Sequence, residues 1–503
     1  MFVDYKKAFD LVWRDGLWYK LIKENVTGKI LNVIKNMYSN IKSCVMVNQE
    51  TSDTFVSNVG VRQGENLSPL LFAFYINDIE TKLLECNCSY VDFNDDMLNL
   101  YLRLLVLMYA DDTVIMCDSV RGMKNVLVAL HTYCKDWKLH INCTKTKIVV
   151  FGRGRTNSSA YDFEFGGESI EVVDNYKYLG LLFNYNGRFR VGELELKERA
   201  SRAMYSLIGK CRKFDLPIDI QIELFNATVL PILMYASEIW GYYVIRDMEL
   251  LYMKFLKQVL GVHKNTSNDM TYGELGVFPL VIYLKSRMIG YWCRLMLGKE
   301  SKTCYIMYQC LLQLDRSGIY TSPWIKCIKN ICNECGMSGM WLLQEVPNTI
   351  WVKKAVEQRL KDQWIATWLN NLETKAICCN YKIVKMDYGV ESYLTKMSKT
   401  DRITISKFRV CNNRLPVNVG RYEGINREDR VCTKCNAGAV GDEYHIILEC
   451  TNEEIVRARH MYLKNYYINW PSRYKYSLLM QSQSVNVLKN LSLFLRKVLQ
   501  MFR

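Results

Sequence analysis

The sequence predicts an α+β domain, then a mostly α-helical region, with a small cysteine- and histidine-bearing unit near the end. Three observations carry this. Short β-favouring stretches alternate with apolar-periodic helices up to about residue 190. From Glu193 the apolar residues recur at helical spacing, with little interruption to about residue 400. Cys432, Cys435, His445 and Cys450 then fall within one short stretch.

Taken in order, residues 1–5 read as a strand. Leu11 to about Tyr38 reads as helix, with Leu17, Leu21, Ile22, Ile30, Leu31, Ile34 and Met37 as its apolar positions. SCVMVN and TFVSNVGV pair as strands around a polar loop. SPLLFAFYINDIETKLL is a buried helix with Pro69 in its first turn. LVLMYADDTVIMC is a hairpin that turns at Ala110–Asp112, and VRGMKNVLVALHTYCKDW is an amphipathic helix. TKIVVFG, FEFGGESIEVV and YKYLGLLFNY are further strands. ELKERASRAMYSLIGKCRKF and IDIQIELFNATVLPILMYASEIWG open the helical part. The boundaries expected are 1–190, 191–260, 261–404, 405–460 and 461–503, with no internal repeat.

At 503 residues and 50% hydrophobic content, the chain can bury two to four cores. Aromatic residues at 12% argue against disorder. The net charge of +15 suits a polyanionic partner. The N-terminus lacks the apolar core of a signal peptide, and no stretch approaches a membrane span. Nineteen cysteines, an odd number scattered through apolar segments, read as reduced core thiols in a nuclear or cytoplasmic protein.

Asp111 and Asp112 pose a physical problem. Two adjacent carboxylates inside a β-favouring apolar stretch repel each other and resist burial. A hairpin turn with solvent-facing acids is one solution. Two Mg²⁺ ions shared with Asp4, at the end of another apolar strand, are the other. The order of neighbouring stretches bears on the choice. FVDYKKAFD, VRQGENLSPLLFAFYINDI, YADD, LHINCTKTKIVVF and YKYLGLLF together resemble the palm motifs of reverse transcriptases, and most closely those of LINE-type, non-LTR retrotransposons. The resemblance spans residues 1–183.

It implies an RNA-directed DNA polymerase palm over 1–190, a thumb-like region over 191–260, and an RNA template, DNA primer and deoxynucleoside triphosphates as partners. By motif, Asp4 and Asp111 are the Mg²⁺ ligands and Asp112 an accessory carboxylate, while Asp10 caps the next helix. Phe9 resembles the residue that closes the sugar pocket, with core packing as its alternative. Tyr109 either lines the primer end or fills the palm. Gln63 and Gly64 resemble the loop that contacts template and incoming nucleotide; a plain turn is the alternative. Lys145 resembles the lysine that approaches the pyrophosphate as general acid, with Lys147 as substitute. Tyr176–Gly180 resembles a primer-gripping hairpin.

Lys197, Arg199, Arg202, Lys210, Arg212 and Lys213 stand against one acid, Glu198, between Leu196 and Lys213. Such a helix tracks a nucleic-acid backbone or is simply a solvated face. Cys432-x2-Cys435-x9-His445-x4-Cys450 matches the needs of tetrahedral Zn²⁺, with Gly438 and Gly441 in the turn and His460 as an alternative ligand. The spacing also resembles the C-terminal CCHC knuckle of the same retroelements. Cys332 and Cys335 lack a nearby histidine and are expected to bind no zinc. Because Phe2 and Val3 already read as strand, the N-terminus is expected to be truncated, with the family's fingers and endonuclease missing and little primer extension by these residues alone. The alternative function is a non-catalytic nucleic-acid-binding remnant.

Overall fold

A computed structural model describes residues 1–86, 88–92, 103–152, 154, 161–242, 246–298 and 302–502. The fold is mixed α+β and mostly helical. The described residues divide into two compact units: Met1–Gly192 with Glu300–Thr321, and Glu193–Lys299 with Ser322–Arg503.

In the first unit the organising element is a three-stranded antiparallel sheet. Strand Phe2–Val3 pairs with Asp112–Ile115, which pairs in turn with Val106–Tyr109. The register sets Val3 opposite Thr113 and Tyr109 opposite Asp112. The turn is therefore Ala110–Asp111, and Asp112 is the first residue of the returning strand. Ala110 takes the left-handed conformation (φ 54°) that a two-residue hairpin of this kind demands.

Residues 140–147 run along the free edge of the first strand. Isolated bridges join Tyr5 to Ile141 and Phe2 to Lys147. The expected strand TKIVVFG thus forms single bridges rather than a regular ladder, since Ile148 pairs instead with Val172.

Helices Arg14–Lys23, Gly28–Tyr38, Ser68–Ile76 and Val120–Asp136 contribute the core beneath the sheet, which includes Leu17, Leu21, Leu31, Phe72, Tyr75 and Leu130. The single helix expected over 11–38 is broken. Asn25 and Gly28 adopt positive φ (64° and 61°), and no helix continues through that conformation. The break changes the phase of the apolar stripe, so Ile22, Ile30 and Met37 are exposed while Leu31 and Ile34 are buried. The helix begun by Pro69 likewise stops at Ile76 and resumes at Ile79.

That second break has a purpose in the packing. Asp78 accepts from Lys20 Nζ at 2.6 Å and from the Tyr133 hydroxyl at 2.7 Å. Lys20 also donates to the Tyr75 carbonyl at 2.6 Å and lies 3.7 Å from the Trp137 ring centroid. Burial lowers the Lys20 amine to about 8 despite the opposing pull of Asp78. A buried cation with this many partners locks three helices behind the sheet.

The hairpins Met46–Thr51 and Lys42–Val56 form nested pairs, Met46–Val47 with Glu50–Thr51 and Lys42–Ser43 with Phe55–Val56. Strands Asn175–Tyr178 and Leu181–Asn184 form another hairpin.

The second unit is helical. Its long helices include Arg190–Lys213, Arg246–Leu260, Leu280–Met296, Thr349–Thr374 and Val485–Gln500. Its interior holds an ionic network. Arg409 Nε lies 3.0 and 3.1 Å from the two carboxylate oxygens of Glu274, and both side chains are fully buried. Glu391 at 3.2 Å, the Met480 carbonyl at 2.9 Å and the Tyr393 hydroxyl, which donates to Glu274 at 2.5 Å, complete it.

Candidate active site and metal centre

The sheet register brings the acidic motifs together. Asp4 follows directly on strand Phe2–Val3, whose partner strand begins at Asp112, beside the turn residue Asp111. The backbone of Asp4 is fixed on its other side: its N–H donates to Thr146 Oγ1 at 3.1 Å, and its carbonyl accepts from Asn142 N–H at 2.8 Å. The side chain remains about a third exposed.

The proximity has an electrostatic signature. The Asp112 carboxyl is raised by burial, then by Asp111, then by Asp4. The Tyr176 and Tyr178 hydroxyls are also raised, first by burial, with Asp112 contributing to both and Asp4 to Tyr176. Three carboxylates thus share one sheet end where negative charge is in excess. Hard divalent cations take oxygen ligands and offset such charge, although Asp4, Asp111 and Asp112 are not among the described groups whose ligand atoms already converge.

Lys145 stands over this end. Its Nζ lies 4.0 Å from Asp4 Oδ2, and its side chain is 70% exposed. Lys147 is instead tied to Glu171 at 2.6 Å. Tyr176 stacks on Phe2 with ring centroids 4.3 Å apart and Tyr178 lies 5.4 Å from the same ring, so the Tyr176–Gly180 hairpin packs beside Asp4.

Phe9 is half-buried, 5.2 Å from the Phe72 ring. Tyr109 is 67% exposed at the hairpin end. Gln63 reaches back to Asp10, donating from Nε2 to Oδ1 at 3.0 Å. Asp10 therefore holds the Gln63 loop and does not cap the next helix, which begins at Arg14 without a side-chain cap. Gly64 has φ 88° and open space around its missing Cβ.

Sequence reasoning passed over Gly60 and Arg14. A Cβ on Gly60 would lie 2.5 Å from the Asp10 carbonyl. The Arg14 guanidinium donates to the carbonyls of Tyr38, Ser57, Val59 and Gly60. It fastens the loop that leads to Gln63. An arginine at a helix start carries no local signal for such long-range partners.

On helix Arg190–Lys213 the buried positions Leu196, Ala200, Met204, Leu207 and Cys211 form one stripe. Arg202, Lys210, Arg212 and Lys213 are exposed on the remaining surface. Lys197 and Arg199 are not free in the same way. They face Asp247 at 3.2 Å and Glu195 at 3.8 Å.

The second cluster lies in the helical unit. One ligand atom from each of Cys432, Cys435, His445 and Cys450 falls within 4.8 Å of every other, and this is the metal-competent Cys/His/acid group found among the described residues. Cys435 Sγ is 3.3 Å from His445 Nε2, and Cys432 Sγ is 4.0 Å from Cys450 Sγ. A tetrahedral zinc with Zn–S of about 2.3 Å has edges of roughly 3.5–3.8 Å, which these spacings approach.

Local structure builds the site. Cys432 and Cys435 sit on a turn closed by Cys432 N–H to the Ala439 carbonyl, with Gly438 at φ 62°. Gly441 serves close packing instead: a Cβ there would be 2.7 Å from Pro416. Asp442 accepts from His445 N–H at 3.0 Å and pairs with Arg427 at 2.7 Å. Arg459 donates to the carbonyls of Ile447 and Cys450, holding the far end.

Burial opposes ionisation of Cys435, but N–H groups of Ala437 and Thr451 and the His445 side chain prevail and bring the thiol to about 6. His460 is exposed and outside the cluster. Cys332 and Cys335 are buried and belong to no metal-competent group among the described residues.

Residues 1–183 match the family model described as reverse transcriptase (RNA-dependent DNA polymerase). The chain is similar to the probable RNA-directed DNA polymerase from transposon BS of Drosophila melanogaster, 27% identical over 245 residues, which is 48% of this chain and 26% of that protein. It is 26% identical over 272 residues to the RNA-directed DNA polymerase from mobile element jockey of the same species, 52% of this chain and 28% of that one. A Pol polyprotein from the type-1 retrotransposable element R2 of Nasonia vitripennis is 26% identical over 197 residues, 38% of this chain and 18% of that one. The chain thus spans about a quarter of the length of the first two relatives.

Residues 1–183 form a reverse transcriptase domain. The chain is a homologue of the RNA-directed DNA polymerases of non-LTR retrotransposons.

Proposed function

We propose that this chain is the palm, thumb and zinc-knuckle portion of an RNA-directed DNA polymerase that copies a retroelement RNA into DNA. The observation that carries the reading is the strand pairing that sets Asp4 beside the Asp111–Asp112 turn, with Lys145 4.0 Å from Asp4. Asp4 and Asp111 would hold two Mg²⁺ ions, which when bound activate the primer hydroxyl and stabilise the departing pyrophosphate.

The side chains supply the rest. The primer 3′-hydroxyl gives its proton to solvent as its oxygen forms a bond to the α-phosphorus of a deoxynucleoside triphosphate and the bond to pyrophosphate breaks. Lys145 donates a proton to the leaving group. Phe9 closes the sugar side of the nucleotide pocket, and the Gln63–Gly64 loop lets backbone approach template and nucleotide. Tyr109 lines the primer end. Arg202, Lys210, Arg212 and Lys213, with Lys197 and Arg199 behind their ion pairs, follow the template–primer phosphates. Cys432, Cys435, His445 and Cys450 would hold Zn²⁺, which when bound would cross-link the knuckle.

Primer extension on an RNA template with Mg²⁺ tests the reading. Asp111→Asn should lower DNA synthesis by roughly 10³-fold, the equivalent of several kcal/mol of metal-assisted stabilisation. Undiminished synthesis by Asp111→Asn would refute the site. No synthesis by the wild-type chain, alone or joined to an upstream polymerase segment, would refute the enzymatic reading.

A further inference from the structure

Beyond the polymerase and the knuckle, the turn around Trp470 stands apart. It joins the short helix Asn465–Ile468 to the helix Arg473–Met480. Trp470 is 88% exposed, more than any other large hydrophobic residue among those described. Its backbone holds φ 55°, a conformation normally left to glycine or asparagine. A bulky ring kept in water on a strained backbone contributes nothing to a core, and such strain concentrates at functional sites.

The surroundings repeat the theme. Tyr466 and Tyr474 are 56% and 70% exposed. Lys475 Nζ lies 5.2 Å from the Tyr466 ring centroid and also donates to the Asn469 carbonyl, so it ties ring and turn together. The Ser472 side chain accepts from Lys475 N–H at 3.2 Å and caps the next helix. Lys464 and Arg473 are exposed, and no ion pair to a carboxylate is formed by Lys464, Arg473 or Lys475 among the described residues.

Charge points to the occupant. From Ile455 to the last residue the sequence has no Asp or Glu but nine Lys and Arg, of which Arg457 and Arg496 pair with Glu453 and Asp401 and Arg459 is buried. Aromatic faces interleaved with cations recognise single-stranded nucleic acid, whose unpaired bases have free faces to stack and whose phosphates need counter-charge. A duplex offers phosphates but keeps its base faces occupied.

We propose that the Trp470 turn is a stacking site for single-stranded RNA or DNA, with Tyr466 and Tyr474 flanking it and Lys464, Arg473 and Lys475 facing the phosphates. The site shares no residue with the carboxylate end and needs no metal.

The test is anisotropy titration of the full chain, in EDTA, with a labelled twelve-residue oligothymidylate and an abasic strand of equal length. Trp470→Ala should weaken oligothymidylate binding by roughly 5- to 100-fold, the worth of one stacked base. It should leave abasic binding and the salt slope unchanged, and Trp470→Phe should restore most of the affinity. Leu343→Ala, at a residue 71% exposed and assigned to neither site, should bind like wild type. Unchanged oligothymidylate binding by Trp470→Ala, or an equal loss on the abasic strand, would overturn the proposal. So would a Trp470→Ala defect confined to co-sedimentation with phosphatidylserine vesicles, which would assign the turn to a membrane surface.

Discussion

Asp112 bears the electrostatic cost of the carboxylate arrangement. Its carboxyl is raised by burial and by its neighbours Asp111 and Asp4. A carboxylic acid whose pKa rises on folding binds its proton more tightly in the native state. Its ionisation therefore lowers stability as pH climbs from the unfolded value through the folded one, and the penalty is complete above the latter. Asp112→Asn should accordingly raise the thermal midpoint at pH 7 without divalent cations. The gain should be roughly 1–3 °C, because exposed charge pairs contribute at most about 1 kcal/mol. It should vanish once pH falls below the ordinary carboxylate range. A lower midpoint for the variant in a calorimetric scan would mean that the three acids do not repel. Lys145 belongs to the same scale: with Lys145 proposed as a proton donor and not a metal ligand, Lys145→Ala should slow primer extension while leaving divalent-cation affinity intact.

At the scale of elements, the exposed end of helix Arg190–Lys213 and the cysteine turn make separate predictions. Replacing Lys210, Arg212 and Lys213 by glutamine should flatten the dependence of log affinity on log salt by about 2–3, since each phosphate neutralised contributes roughly 0.7–0.9. Lys197→Gln should change it less, because that lysine already faces Asp247. An unchanged slope after the triple substitution would remove the helix from the interface. Full-chain protein should carry one zinc by mass spectrometry. Cys435→Ser should lose it and Cys332→Ser should keep it; equal zinc content in wild type and Cys435→Ser would end the assignment. These elements were legible because their signals are local: a hairpin turn around YADD, a C-x2-C beside a histidine, a basic run at helical spacing. The break after Lys23 was not, because nothing in the apolar pattern announces that Asn25 turns left-handed. Arg14, Lys20 and Arg409 were equally silent, their partners lying from 18 to 135 residues away in sequence. The Asp10 to Gln63 bond replaced an expected helix cap for the same reason. Pairing across the fold decides what a polar residue does, and spacing along the chain does not encode it.

At the scale of the whole molecule, each unit is held by a polar lock that its local sequence conceals. In the helical unit, Glu274→Gln would leave the Arg409 guanidinium buried with half its counter-charge. Breaking such a pair costs about 3–5 kcal/mol, so a urea midpoint well below wild type is expected. A wild-type midpoint would show that Glu391 alone suffices. In the sheet-bearing unit, the Lys20–Asp78 lock and the Arg14-fastened loop set the frame on which the acidic strand ends meet. The central claim is that Asp4 and Asp111, 107 positions apart in sequence, serve one divalent-cation site. Mn²⁺ reports on such oxygen sites directly, so the most direct measurement is an electron paramagnetic resonance titration of Mn²⁺ with wild type, Asp4→Asn, Asp111→Asn and Lys145→Ala. Wild type and Lys145→Ala should bind Mn²⁺ alike, and each aspartate variant should weaken binding by at least about tenfold. Equal Mn²⁺ affinity in wild type and both aspartate variants would contradict the account.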